Sequence, residues 1–263
     1  MGTEVTQDRN RNWRLAFAGA AAALGVGIVI ALVGTDGATG AKPEVLGQTN
    51  GAPKPACPTR EDSDGNVTSP CSATGSMTGF PTRIGNKRNP FVMPANGKIV
   101  AWSVDLSKPK KSERDFFGTL FEDKTFGTDP SARISVLRST GKTNFFKLSK
   151  KSPAVNLSGS YGQKPVFTLD KPISAKKGTT VALTEPTWIP ALALGLNAKR
   201  NQWRGSRSAG KCDDSRKNAR TASPQERLKS KREYGCKFTT SRPLYNIFYV
   251  KSGSGRTQRL GVG

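Results

Sequence analysis

The sequence predicts an all-β domain, an antiparallel β-sandwich of the jelly-roll kind, that follows one N-terminal transmembrane helix. Three observations favour this fold class. Short runs rich in β-branched and aromatic residues recur through 57–250, turn-forming residues separate them, and one long uncharged run lies near the N-terminus. Many short, regularly spaced strands are typical of sandwiches, whereas a long apolar run is typical of a bilayer span.

The uncharged run extends from Leu15 to Val33. As a helix with a rise of about 1.5 Å per residue it would be roughly 28 Å long, close to the hydrocarbon thickness of a bilayer. Three arginines precede it, and positive residues stay on the cytoplasmic side. We therefore expect a cytoplasmic tail at 1–14, a cell-membrane span at 15–33 and the remainder outside. A cleaved signal peptide, which would leave the domain secreted, is the alternative.

One face of the same run carries a small residue at every fourth position. These residues are Gly19, Ala23, Gly27 and Ala31. Small side chains allow two helices to approach closely in lipid, which predicts a weak homodimer through this stripe. Because the run is rich in alanine and glycine, coincidental spacing is the alternative.

Composition divides the rest of the chain into three parts. Residues 34–56 are rich in Gly, Ala, Thr and Pro and predict a flexible linker. Residues 57–250 predict the folded β-sandwich domain, which is long enough for one substantial core. Residues 251–263 lack a core-forming pattern and predict a disordered tail.

Six short segments carry the strand signal, and the clearest is Lys98–Leu106, where Val100, Trp102 and Val104 would share one buried face. The other five strand predictions are 133–138, 144–148, 166–169, 179–184 and 244–250. Only Gln225–Tyr234 suggests a short helix after residue 57. Strands with one apolar face are buried by packing in layers, which is the basis of the sandwich prediction.

Four cysteines, Cys57, Cys71, Cys212 and Cys236, predict disulfides, because an even number is typical of exported domains. Of the three pairings, we favour Cys57–Cys71 and Cys212–Cys236, since each pair is local and encloses a polar, turn-rich stretch. A zinc site is the rival, but it usually needs cysteines two to four residues apart. We therefore predict no metal.

The charge is strongly positive, at +23, and it is concentrated near the C-terminus. Lys199–Arg259 contains 17 Lys and Arg against 4 acidic residues. Such a region attracts anionic lipid head groups or acidic cell-wall polymers, and a solvated loop is the alternative. Nucleic acid is the least expected partner outside the cytoplasm, and apart from Trp203 and Tyr234 the basic region lacks the interleaved aromatic residues of a stacking platform. The candidate anion-binding residues are Lys199, Arg200, Arg204, Arg207, Lys229, Lys231 and Arg232.

An ordered set of segments resembles exported β-sandwich proteins of actinobacteria to which no activity is assigned. The segments are Gly97–Ser103 (GKIVAWS), Ala132–Arg138 (ARISVLR), Lys177–Thr184 (KGTTVALT) before Pro186–Trp188, Trp203–Arg207 (WRGSR), and Cys236-x-Phe238 ahead of Leu244–Tyr245. The resemblance covers roughly residues 57–250. It implies a surface-located β domain and contributes no catalytic residue.

The chain contains no histidine, which excludes Ser-His-Asp catalysis, Cys-His catalysis and His-ligated metals. It also lacks a complete cofactor motif, so no cofactor is predicted. The leading prediction is a non-enzymatic, membrane-anchored module that contacts anionic envelope material through 199–259.

The alternative is a cell-wall glycan hydrolase or transferase that uses two carboxylates in one cleft. Glu185 is its main candidate, because it ends a predicted strand close to Trp188. Trp188 and Trp203 would stack on sugars if they were exposed. Whether Glu185 and a second acid line a common cleft therefore separates the two functions.

Overall fold

The structure is a computed structural model that describes residues 42–48, 53–212 and 216–253. The predicted span at 15–33, its stripe of small residues and the tail beyond Gly253 lie outside the described residues. Among the residues that are described, no helix is both long enough and apolar enough to cross a membrane.

Most of the regular structure is β. The strands are β1 (Glu44–Leu46), β2 (Arg60–Glu61), β3 (Val67–Ser69), β4 (Thr74–Ile84), β5 (Lys87–Arg88), β6 (Gly97–Val104), β7 (Ser131–Ser139), β8 (Phe145–Lys151), β9 (Val155–Asn156), β10 (Val166–Ala175), β11 (Thr180–Ile189), β12 (Leu192–Ala193), β13 (Asn201–Gly205), β14 (Lys231–Glu233), β15 (Cys236–Phe238), β16 (Arg242–Pro243) and β17 (Tyr245–Lys251). The helices are α1 (Lys111–Leu120) and α2 (Arg216–Thr221), with 3-10 turns at Ser158–Ser160 and Ala209–Lys211. All six predicted strands are confirmed.

Two sheets hold most of these strands. The smaller has the order β1-β17-β6-β10, and the larger has the order β14-β8-β7-β11-β4-β13-β15, with β5 added to β4 and β9 to β7. Every pairing between the described strands is antiparallel. The strands form a curled half-barrel. The prediction of a mostly β, antiparallel fold is therefore confirmed.

The main core contains side chains from both sheets. Trp102 of β6 and Ile247 of β17 join Ile134 of β7 and Leu183 of β11, and each is at most 1% exposed. Side chains alternate along a strand, so each strand contributes every second residue to this core. Burial of these large apolar groups is the main force that stabilises the two sheets.

Strand β6 departs from the alternation that the sequence suggested. Its partners on β17 run from Phe248 opposite Ala101 directly to Tyr249 opposite Ile99, so Val100 is the extra residue of a bulge. A bulge reverses the side-chain alternation beyond it. Ile99 therefore enters the core in place of Val100, whereas Trp102 and Val104 are buried as predicted.

The predicted linker is wrong for part of its length, because β1 forms within it and pairs with β17. Leu46 is 8% exposed and belongs to the main core. Two polar contacts hold the strand: the Tyr249 hydroxyl donates to Glu44 Oε2 over 2.5 Å, and Lys251 Nζ lies 2.6 Å from Glu44 Oε1. Lys251 itself belongs to β17, where it pairs with Gly97 of β6, and not to the predicted tail.

The predicted helix at Gln225–Tyr234 is also wrong. We call residues 222–234 the covering segment; it is non-helical and ends in β14. The sequence did not suggest α1, which follows Pro109. Glu113 Oε2 accepts a 2.7 Å hydrogen bond from the Lys110 N–H at the start of α1, and its Oε1 accepts one of 2.8 Å from the Thr59 N–H. A single glutamate thus caps α1 and ties it to the segment near Cys57.

Candidate functional site

The two predicted disulfides are confirmed. Cys57 pairs with Cys71, with the Cα atoms 4.2 Å apart, and Cys212 pairs with Cys236, with the Cα atoms 5.2 Å apart. Glu113 lies close to the first pair. A disulfide sulfur is not a thiolate, and metal coordination requires the thiolate, so this grouping is not a metal centre.

The covering segment occupies the face of the larger sheet opposite the main core. Gln225 is 1% exposed, and its backbone N–H donates to the Thr78 hydroxyl of β4 over 3.0 Å. Its side-chain amide donates to the carbonyl of Ser230 over 2.8 Å and to that of Phe146 over 3.2 Å. Part of the basic region therefore serves as a structural cover over the sheet.

The seven predicted anion-binding residues do not form one surface. Lys199 and Arg200 lie at a turn before β13, whereas Lys229, Lys231 and Arg232 lie at or beside β14, at the other end of the larger sheet. The side chains of the remaining two residues, Arg204 and Arg207, are partly or wholly buried. Arg204 is half-buried and donates to the Tyr234 carbonyl over 3.0 Å, and Arg207 is only 6% exposed. The prediction of an exposed binding role is wrong for Arg207, because its side chain is buried.

The structure instead aligns three cations across neighbouring strands. Lys231 of β14 stands opposite Lys147 of β8, and Lys147 stands opposite Arg138 of β7. Directly paired residues of antiparallel strands project from the same face. None of these three side chains has an ion pair or hydrogen bond with another described residue. We call this set the cation row.

The cation row is costly for folding and useful for binding. Like charges directly opposite each other destabilise a sheet, so three in succession oppose strand pairing. Arg138 and Lys231 are exposed, and Lys147 is half-buried. An anion at this face would neutralise the repulsion. Sequence reasoning missed Arg138 and Lys147 because only the strand register brings them beside Lys231.

A second cationic cleft lies around Arg200. It has a volume of about 410 Å³, and Lys87, Arg200 and Arg242 supply its charges. Three asparagines and no acidic residue are among its described lining residues. Arg242 Nη1 donates to Asn201 Oδ1 over 3.3 Å, and burial lowers the pKa of the Arg242 guanidinium. The cleft combines positive charge with amide donors, as anion sites do.

Neither candidate tryptophan is available to stack on a sugar. Trp188 is fully buried between Phe117 and Tyr161, and its indole N–H donates to the Thr128 carbonyl over 2.9 Å. Sugar stacking needs an exposed ring face, so the prediction is wrong for Trp188.

The second indole, that of Trp203, is 2% exposed, and its ring centroid stacks 4.3 Å from that of Phe238. Its N–H donates to the Ser241 hydroxyl over 3.2 Å. Because its ring contacts and its hydrogen bond are made inside the protein, the sugar-stacking prediction is wrong for Trp203 as well.

Glu185 lies inside the protein and not in a cleft. Glu185 is two residues after Leu183 in β11, so its side chain projects from the same core-facing side, and it is 2% exposed. Burial raises the pKa of its carboxyl to about 8, although the charge of Arg207 lowers it in part. Its Oε2 atom accepts no hydrogen bond from the described residues. A polymer cannot reach this carboxyl, so the criterion for a two-carboxylate enzyme is not met at Glu185.

Comparisons with known proteins add no assignment to this geometry. No model of a protein family matches the chain, and neither curated proteins nor solved structures provide a match.

Proposed function

We propose that the chain is a non-enzymatic, membrane-anchored module whose extracytoplasmic domain binds acidic cell-wall polymer through the cation row. In this proposal residues 15–33 anchor the protein as a single pass, or are cleaved to release it, and the domain is a jelly-roll-like sandwich. The resemblance to exported β-sandwich proteins of actinobacteria supports the same location. Weak dimerisation through the stripe of Gly19, Ala23, Gly27 and Ala31 belongs to the proposal.

The single observation that carries the proposal is the register of β14, β8 and β7. It places Lys231, Lys147 and Arg138 side by side at the strand spacing of about 4.8 Å. No carboxylate among the described residues pairs with any of them. A repulsive row that is left without internal counterions is the expected form of a surface whose counterions come from a partner.

The overall charge and the disulfides support the proposal independently. A net charge of +23 generates a long-range attraction for polyanions, which raises the rate of encounter. Two disulfides are typical of an oxidising compartment outside the cytoplasm. Acidic polymers are favoured over lipid head groups, because a linear row of charges matches a chain of repeated anions.

The experiment compares two charge reversals in the purified full chain. Lys147→Glu alters the centre of the cation row, and Lys108→Glu changes the net charge equally at an exposed lysine outside the row. Cosedimentation with isolated cell wall at increasing salt gives the apparent affinity. We expect Lys147→Glu to weaken binding at least tenfold, with a shallower salt dependence, and Lys108→Glu to change it less than threefold.

Two results would contradict the proposal. Equal losses in both variants would mean that only net charge matters. Binding to phosphatidylglycerol vesicles, but not to cell wall stripped of membrane, would identify lipid head groups as the partner and remove the polymer.

A further inference from the structure

A groove opens beside the main core, between β10 and the end of β8. Its volume is about 620 Å³, within the range of roughly 300–1,000 Å³ that small-molecule sites occupy. Strand β10 forms one wall, residues 149–155 form the other, and Trp102 lies at its base. None of the three residues of the cation row lines the groove.

The interior of the groove is apolar. Trp102 and Phe167 meet with their ring centroids 4.6 Å apart, and Phe167 and Leu169 are partly buried against the main core. Val155 and Ile173 complete the apolar surface. Together these side chains present a continuous hydrophobic lining that leads into the core.

One exposed leucine extends this apolar surface beyond the groove. Leu228 of the covering segment lies at the mouth and is 50% exposed, which makes it one of the few large exposed hydrophobic residues in the described part of the chain. Large apolar side chains that are exposed beside an apolar groove are typical of ligand sites.

The rim of the groove is positively charged. Lys150 and Lys171 are exposed at its two sides, and Asp170 is the one acidic residue among the described lining residues. A third lysine, Lys151, is already engaged, because its Nζ donates to the Glu226 carbonyl over 2.9 Å. The groove therefore combines an apolar interior with two lysines that have no described partner at its entrance.

The hydrogen bonding between β10, which forms one wall, and β6 is interrupted. The pairing with β6 passes from Thr168 opposite Ala101 directly to Ile173 opposite Ile99, so four residues of β10 leave the hydrogen-bonded ladder. Pro172, which has no N–H, is one of them. The side chains of this stretch are therefore placed by packing and not by sheet hydrogen bonds, and Leu169 packs against the main core from it.

We propose that this groove binds one long-chain carboxylate, with the hydrocarbon chain between Trp102, Phe167 and Leu169 and the carboxylate at Lys150 and Lys171. The volume holds about twenty non-hydrogen atoms at roughly 30 Å³ each, the volume of a water molecule in the liquid. One long-chain fatty acid has about this many non-hydrogen atoms and would fill the groove, whereas a lipid with two long chains would extend out of it. The charged rim selects an anionic head over a neutral one.

The test uses 9,10-dibromostearate, whose bromine atoms quench nearby indoles. The full chain carrying Trp13→Phe, which removes the indole beside the proposed membrane span, is placed in neutral phosphatidylcholine nanodiscs and titrated with the probe. We expect saturable quenching that Trp102→Phe removes, because Trp102 lies at the base of the groove. Leu169→Glu should raise the half-saturating concentration at least tenfold, while the matched control Val67→Glu, at an exposed valine of β3, should leave it unchanged.

The head group is tested with the corresponding brominated alcohol. Lys150→Glu combined with Lys171→Glu should weaken the acid at least fivefold and the alcohol less than twofold. The proposal is overturned if quenching is not saturable, if it persists in Trp102→Phe, or if Leu169→Glu and Val67→Glu behave alike. It is equally overturned if acid and alcohol bind alike in the original chain. These results do not depend on polymer binding, because the two sites share no residue.

Discussion

The hydroxyl of Tyr234 donates a 2.8 Å hydrogen bond to Oε1 of Gln225, and both side chains are at most 1% exposed. Tyr234 also packs between the rings of Phe80 and Phe146. This pair fastens both ends of the covering segment to the larger sheet. A segment whose composition suggested a solvated basic loop is therefore partly a component of the protein interior.

Truncation of Gln225 should be more damaging than removal of the Tyr234 hydroxyl. Gln225→Ala leaves several buried polar groups without partners, which we expect to lower the free energy of unfolding by roughly 2–4 kcal/mol. Tyr234→Phe removes one hydrogen bond and should cost about 1 kcal/mol. Urea unfolding of the full chain measures both. The exposed Gln163→Ala is the control, and a loss equal to that of Gln225→Ala would contradict the prediction.

Loss of the second disulfide should loosen the same region. Cys212 and Cys236 are 24 positions apart, and closure of such a loop stabilises by about 3 kcal/mol in the chain-entropy account. The double change Cys212→Ser and Cys236→Ser should therefore lower stability by about that amount and speed proteolysis between the two positions. The equivalent change at Cys57 and Cys71 provides the comparison; cleavage that is no faster near Arg227 would refute the prediction.

Glu185 should make stability depend on pH. Its pKa is about 8 in the folded chain, against an ordinary value of 4.5, so between these values the unfolded chain has released a proton that the folded chain retains. Stability is therefore highest below pH 4.5 and is lost as the pH rises to about 8. Glu185→Gln should remove this loss, which urea unfolding at pH 5 and pH 8 would detect. The exposed Glu122→Gln should leave the difference between the two pH values unchanged.

The cation row should show opposite effects on stability and on binding. Lys147→Glu replaces two repulsive cross-strand contacts with attractive ones, which we expect to raise the free energy of unfolding by roughly 0.5–1 kcal/mol. The same variant should bind cell wall more weakly. Thermal unfolding at low salt measures the gain, and Lys147→Gln should give about half of it. A destabilised Lys147→Glu chain would show that the lysine has a structural role instead.

The sequence was a good guide to strands in which apolar and polar residues alternate, even where both faces are buried as in β11, and a poor guide to β4, in which they do not. Strands β6, β7 and β11 were recognisable because apolar and polar residues alternate along much of their length. Strand β4 was missed, although it lies between β11 and β13. It contains small and polar residues. One of its faces lies toward the main core, and the other lies under the covering segment. On this second face the Thr78 hydroxyl lies 3.0 Å from that of Thr184.

The candidate site was less predictable than the fold. The pairing of the cysteines followed from local spacing, and it is correct. Exposure does not follow from residue type: Trp188, Trp203 and Arg207 carry chemistry suited to binding, yet their side chains are buried. The cation row was beyond prediction for a different reason, because cross-strand neighbours depend on a register that no local pattern specifies.

The edge strands of the two sheets affect the tendency of the protein to aggregate in concentrated solution. On the larger sheet β14 and β15 have three residues each, and on the smaller sheet β1 has three and β10 is interrupted around Pro172. A foreign strand needs a long, regular row of free N–H and C=O groups as its template. None of these four edge strands offers one, so the protein should resist strand-by-strand aggregation even at high concentration.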